Sequence, residues 1–115
     1  MVRSGNETIA AQTLNNIRKF QAQYAARNKG NFAEFDELIR KMGLDERFYG
    51  ERPIVNGYTF TMAVEPASLN REAFYSISAD PMVGSGSRHF YTDSSLSVIK
   101  FTDESRPAKF DDPAI

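Results

Sequence analysis

The chain contains no cysteine. Thiolate metal sites, a cysteine nucleophile and a disulfide framework are thereby excluded, and the redox compartment stays open, because a thiol-free chain suits reducing and oxidising surroundings alike. Histidine occurs once, at His89, without a second imidazole at helical or hairpin spacing to share a metal. No apolar run is long enough to span a bilayer or to form a signal-peptide core. An excess of charge is missing as well: 14 Lys and Arg stand against 15 Asp and Glu, so no global field recruits nucleic acid or an anionic membrane. At 115 residues there is no room for a second core, which excludes a multidomain enzyme.

What is present describes one ordinary globular domain over residues 1–115, with 41% hydrophobic and 25% charged residues and no repeat or low-complexity tract. The near-zero total conceals a division of charge. Residues 1–30 carry Arg3, Arg18, Lys19, Arg27 and Lys29 against Glu7 alone, a net +4, whereas residues 31–115 carry nine basic and fourteen acidic residues, a net −5. The bland account of the basic segment is a solvated helix face.

Ala10, Leu14, Ile17, Phe20 and Tyr24 recur at steps of three and four, which places them on one stripe of an amphipathic helix over residues 6–28. These five are the expected helix-to-sheet packing residues. Ser4 and Glu7 have the spacing of a capping box that would start the helix, and Asn28, Lys29 and Gly30 would stop it. In the helix and loop region 31–52, Asn31 with Glu34 is the expected cap of a second, short helix. Phe35, Leu38, Ile39 and Met42 give that helix one apolar face; Gly43 ends it, and Leu44 folds back. From Tyr58 onward the period changes to two, predicting a sheet across 55–101 with four strands, the last running from Leu96 or Ser97 to Phe101. Residues 102–115 read as an irregular tail held by Phe110 and Ile115. Helices first and a meander second make an α+β fold, the helix packed on a four-stranded antiparallel sheet.

Chemistry-bearing residues do not converge. His89 between Arg88 and Phe90 reads as a structural or surface histidine. Ser85 and Ser87 lack the G-x-S-x-G frame of a nucleophile elbow, and Gly84 to Ser87 lacks the frame of a phosphate-binding loop. Asp93, Asp103, Glu104, Asp111 and Asp112 offer hard oxygen ligands but not in the EF-hand pattern, so solvated acids are the simpler account. Fourteen aromatic residues raise the question of a base-stacking platform, yet Phe20, Phe35 and Phe60 fall at core-facing positions. Asn6-Glu7-Thr8 matches the glycosylation sequon. Without a joint acid, base and nucleophile the chain reads as a non-enzyme, and no cofactor or metal is expected.

The order of short motifs resembles the globular part of a type IV pilin, either a bacterial major pilin or a closely similar pseudopilin. Asn6-Glu7-Thr8-Ile9-Ala10 is similar to the N-E-x-x-A stretch after the membrane half of the long pilin helix, and Leu14 to Ile17 and Gln21 to Ala25 resemble its amphipathic half. Asn31-Phe32-Ala33 with Glu37-Leu38 resembles the opening of the connecting loop. Asn56-Gly57-Tyr58-Thr59-Phe60, Tyr75 to Pro81, Gly86 to Asp93, Val98-Ile99-Lys100 and Asp112-Pro113 are similar to successive pieces of the pilin sheet and C-terminus. The resemblance covers about residues 6–115. It departs at Leu96-Ser97, where the family has a single glycine, so this loop is expected to be longer and, like Gly84, Ser85 and Gly86, to protrude together with Ser95 and Leu96. It departs also in lacking the cleavage site, the apolar helix half and the membrane-embedded glutamate, which suggests either a chain cut before Asn6 or a split pilin whose helix is a separate polypeptide.

The resemblance implies a structural subunit that self-assembles with copies of itself into a helical pilus filament used for adhesion, motility or DNA uptake. It would be held in the inner membrane through the absent segment and then in an extracellular fibre, with no nucleic acid bound by the domain alone. A separate hydrophobic helix chain or other pilins are further implied partners. Arg3, Arg18, Lys19, Arg27 and Lys29 become candidate subunit-interface charges, facing the acidic remainder of a neighbour. The alternatives are a pseudopilin in a periplasmic type II secretion fibre, for which the resemblance implies calcium, and a free ligand-binding or adaptor module using Gly84 to Ser87 and the aromatic strands.

Overall fold

A computed structural model describes residues 2–115, with side chains from Gly5 onward. The fold is α+β: a long helix α1 (Val2–Arg27), a short helix α2 (Phe35–Met42) and five strands, β1 (Ile54–Val55), β2 (Tyr58–Glu65), β3 (Phe74–Pro81), β4 (His89–Asp93) and β5 (Lys100–Thr102). The strands form one antiparallel sheet in chain order, each beside its sequence neighbour. Such a meander needs only short connections.

Helix α1 is about 39 Å long at 1.5 Å per residue and is already helical at Ser4. The expected capping box is therefore not its start, and the Glu7 carboxylate is used elsewhere. Ala10, Leu14 and Ile17 are buried against the sheet, while Phe20 and Tyr24 are half-buried at the margin of the same core. Each large side chain buried this way contributes about 1.5 to 3 kcal/mol. The stripe then continues with a polar residue. Gln21 is fully buried, donates from Nε2 to the Ala33 carbonyl at 2.6 Å and accepts from the Ala33 N–H at 2.9 Å. A buried amide with both ends satisfied costs little and pins the connecting segment to the helix. The helix stops at Arg27, where the Asn28 side chain donates to the Tyr24 carbonyl at 2.7 Å and the Gly30 N–H to that of Ala25 at 2.9 Å.

The cap of α2 is Glu34, whose side chain makes no capping bond, and not Asn31. Asn31 instead accepts from the Ala67 N–H at 3.0 Å and donates to the Asn28 carbonyl at 3.3 Å, joining the helix end to the β2–β3 loop. With Asp36 and Glu37 in its first turn and Arg40 and Lys41 in its last, α2 is matched to its own dipole without a capping hydroxyl. Gly43 and Leu44 both donate to the Leu38 carbonyl, and Leu44 returns its side chain to the core.

The fifth strand is β1, which pairs Ile54 with Thr59 and Val55 with Tyr58 around the two-residue turn Asn56-Gly57. Both turn residues have positive φ, 52° and 79°, as a primed hairpin turn requires. Gly57 is required for a second reason: a Cβ there would lie 2.4 Å from Ser85 Oγ. Strand β5 is shorter than expected and begins at Lys100, because Asp93 to Val98 forms turns in which the Asp93 carboxylate accepts from the Ser95 N–H and hydroxyl. The tail is ordered, but not by the side chains of Phe110 and Ile115, which are 65% and 62% exposed. It is tied by backbone bonds from Phe101 N–H to Pro113 and from Ile115 N–H to Ile99, both 3.0 Å, and by the burial of Ala108.

Candidate interaction surface

Two regions along α1 carry most of the polar organisation of the helix face. The first surrounds Glu7. Its carboxylate accepts from the Ser87 N–H at 2.8 Å, the Ser87 hydroxyl at 3.2 Å, and the Arg88 N–H and Nε at 3.3 Å each. Burial raises the Glu7 pKa, but the two backbone donors, the Ser87 hydroxyl and the Arg88 charge outweigh it and hold the carboxyl below its ordinary value. Arg88 in turn lies 5.4 Å from the ring centroids of Phe90 and Phe101, so the ion pair is seated on the aromatic core. Asn6 donates to the Ser85 carbonyl at 3.1 Å, and the amide of the sequon is thereby part of this packed junction.

The loop before β4 is held by these bonds. Ser85 and Gly86 do not protrude but are half-buried against α1; a Cβ on Gly86 would meet Tyr58 Oη at 2.6 Å and Glu7 Cγ at 3.1 Å. The apex is open, with Met82, Val83 and Gly84 exposed. The Ser87 hydroxyl is committed to Glu7, and His89 Nδ1 shares a 2.6 Å hydrogen bond with Asp80 Oδ1 across β3 and β4. The Ser87 hydroxyl and the His89 imidazole thus bond to two different carboxylates. Among the described residues no group of three His, Cys, Asp or Glu is placed to hold a metal ion. Asp93 and Asp112, grouped above with the solvated acids, are instead bonded: Asp93 is buried and accepts from Tyr91 Oη at 2.6 Å, and Asp112 takes two bonds from Arg106 at 2.8 and 2.9 Å. Hydrogen bonds from Arg106 and the Lys109 N–H pull Asp112 down to about 2.

The second region lies farther along α1, where Arg18, Lys19 and Ala22 face Phe32, Tyr75, Asp93, Ser94 and Leu96 across an open groove of about 510 Å³. Its floor is the edge-to-face pair of Phe32 and Tyr75, with ring centroids 4.8 Å apart. Leu96 is half-buried on its wall rather than at a loop tip, leaving Ser95 as the exposed member of that pair. Arg18 donates only to Asn15 Oδ1, at 2.9 Å, and Lys19 makes no ion pair among the described residues. Tyr75 is 4% exposed, and its hydroxyl has no hydrogen-bond partner among the described residues. Burial pushes this phenol up to about 12, against the lowering charge of Arg18 and with a smaller raising contribution from Asp93, so it stays protonated and able to donate.

Arg27 and Lys29 are exposed at the end of α1, and the side chain of Arg3 lies outside the described residues. The buried Gln21 and the Glu7 anchor were missed by pattern reading. Position 21, four residues after Ile17 on the stripe, was the available signal for the first. Among the described residues no helix is long and apolar enough to cross a membrane. The chain matches no family model, no curated protein and no solved structure.

Proposed function

We propose that this domain is a pilin-like structural subunit that self-assembles into a fibre. The observation that supports this most is the disposition of α1. One stripe of a 26-residue helix is buried on a five-stranded antiparallel meander, while Arg18, Lys19, Arg27 and Lys29 remain outside any ion pair among the described residues. The motif order of the sequence fits the same arrangement. A cationic helix face on a body of net −5 suits head-to-tail contacts, in which different surfaces meet and the assembly stays open rather than closing as a dimer. The chemistry of the two polar regions also fits a binding role better than catalysis, since the His89 and Ser87 side chains are engaged in structural bonds.

The test is location. Antibody raised against the purified domain should label extracellular fibres on the source cells, and the domain should be recovered with fibres sheared from the surface. Fibre preparations free of the domain would refute the reading. Recovery only from the periplasm would direct it to the secretion fibre.

A further inference from the structure

Opposite the cationic groove, at the other end of the sheet, stands a feature with complementary chemistry. Lys109 to Asp112 forms a tight turn closed by the Asp112 N–H to Lys109 carbonyl bond at 3.1 Å and by the Lys109 N–H to Asp112 Oδ2 bond at 2.7 Å. Arg106 clamps Asp112 with two further bonds. The two central residues, Phe110 and Asp111, are exposed and make no bond or ring contact among the described residues. A rigid turn that displays an aromatic ring beside a carboxylate has already lost the conformational freedom that binding would otherwise cost.

The strand register separates turn and groove. His89 pairs with Thr102 and Tyr91 with Lys100, so the Thr102 end of β5 lies at the start of β4, and the tail returns alongside with Pro113 beside Phe101. The turn therefore sits beyond the start of β4. The groove is built at the finish of β4, where Asp93 pairs with Ser76 next to Tyr75. One chain cannot join the two, but two copies in line can.

We propose that Phe110 and Asp111 of one copy dock into the groove of Arg18, Lys19, Phe32, Tyr75 and Leu96 on the next, a contact that rests on the fibre reading and names its junction. The ring covers the Phe32–Tyr75 floor and Leu96. The Asp111 carboxylate accepts from the Tyr75 hydroxyl and is neutralised by Arg18 and Lys19, which make no ion pair among the described residues although Asp93, held by Tyr91 and Ser95, lines the same groove. Because plug and groove are different surfaces at opposite ends, each docked copy presents a fresh groove, and the contact propagates.

The absence of cysteine makes the test direct. Lys109→Cys and Ser95→Cys chains, which keep the docking ring and the groove intact, should on mixing under mild oxidation form a disulfide-linked dimer roughly tenfold faster than Lys109→Cys mixed with Leu69→Cys, a fully exposed control site, because docking raises the effective concentration of the thiols. Adding Asp111→Lys to the plug chain should abolish the advantage, and adding Arg18→Asp to the groove chain should restore it. Equal rates with the control pair overturn the contact, as does an advantage that Asp111→Lys leaves intact. If phenylacetate binds the monomer in an Arg18-dependent way while cross-linking stays at control level, the groove belongs to a free carboxylate and the proposal is wrong. Cells whose fibres assemble normally with Phe110→Ala and Asp111→Lys would overturn this junction while leaving the fibre reading intact.

Discussion

The two polar regions of α1 solve opposite problems. Around Glu7 the carboxylate meets four donors and its cation is seated on two aromatic rings. About three turns farther along the same helix, Arg18 and Lys19 border an aromatic floor and the Tyr75 hydroxyl, which has no protein partner among the described residues. The first arrangement uses its polar groups to hold the helix on its own sheet. The second leaves them available. Substitutions near Glu7 should therefore damage folding, and substitutions near Arg18 should spare folding and damage association.

The largest effect is expected at the anchored end from Gly57→Val. The left-handed φ of 79° excludes a β-branched residue, and the new Cβ would collide with Ser85 at 2.4 Å. Overpacking alone costs about 1 to 3 kcal/mol and the left-handed backbone about 1 to 2 more. Urea denaturation should show a loss in that combined range. A loss below about 0.5 kcal/mol, the size of an ordinary surface change, would mean that the loop is not pressed against this turn.

Gln21→Leu comes next. It keeps the stripe apolar and nearly the same size but leaves the N–H and C=O of Ala33 without their partners, at about 1 to 3 kcal/mol for a buried orphan. Denaturant midpoints check it. A stabilised Leu variant would show that the amide serves only to fill space.

Glu7→Gln is smaller and depends on pH. The folded pKa of Glu7 is depressed, so its contribution is fully present above the ordinary value of 4.5 and is lost as pH falls through the lower folded value. At pH 7 the variant should melt several degrees below the parent, about 1 kcal/mol for a domain of this size, and the gap should close as the pH drops below 4.5. A gap independent of pH would assign the loss to packing and not to charge.

The contrast also explains what pattern reading reaches. Apolar spacing is a local signal, and it located α1, α2 and the buried stripe through Ile17. It did not reach β1, because two residues are too few to show alternation; the Asn56-Gly57 pair, whose composition suits a two-residue hairpin turn, was the available signal. Gln21 was invisible because burial of an amide depends on whether Ala33, twelve residues away, presents both backbone groups. For the same reason Glu7 resembled a local cap when its partners lie eighty positions along the chain. The tail misled in the other direction. Phe110 and Ile115 are apolar and so read as anchors, yet backbone pairing and the Arg106–Asp112 clamp do the holding and leave Phe110 outside.

The smallest expected effect on stability is the most informative. Arg18→Glu with Lys19→Glu removes one exposed hydrogen bond, to Asn15, and reverses two charges that make no ion pair among the described residues. Surface changes of this kind stay within about 0.5 kcal/mol, so the melting temperature should hold while fibre assembly fails. The parent's association should also weaken with added salt, because exposed charges are screened beyond about 10 Å at 0.1 M. The double variant should lose that dependence. Normal assembly by a stable double variant would sever the link between the open region and association, and the two halves of α1 would then differ only in how well their charges are paired.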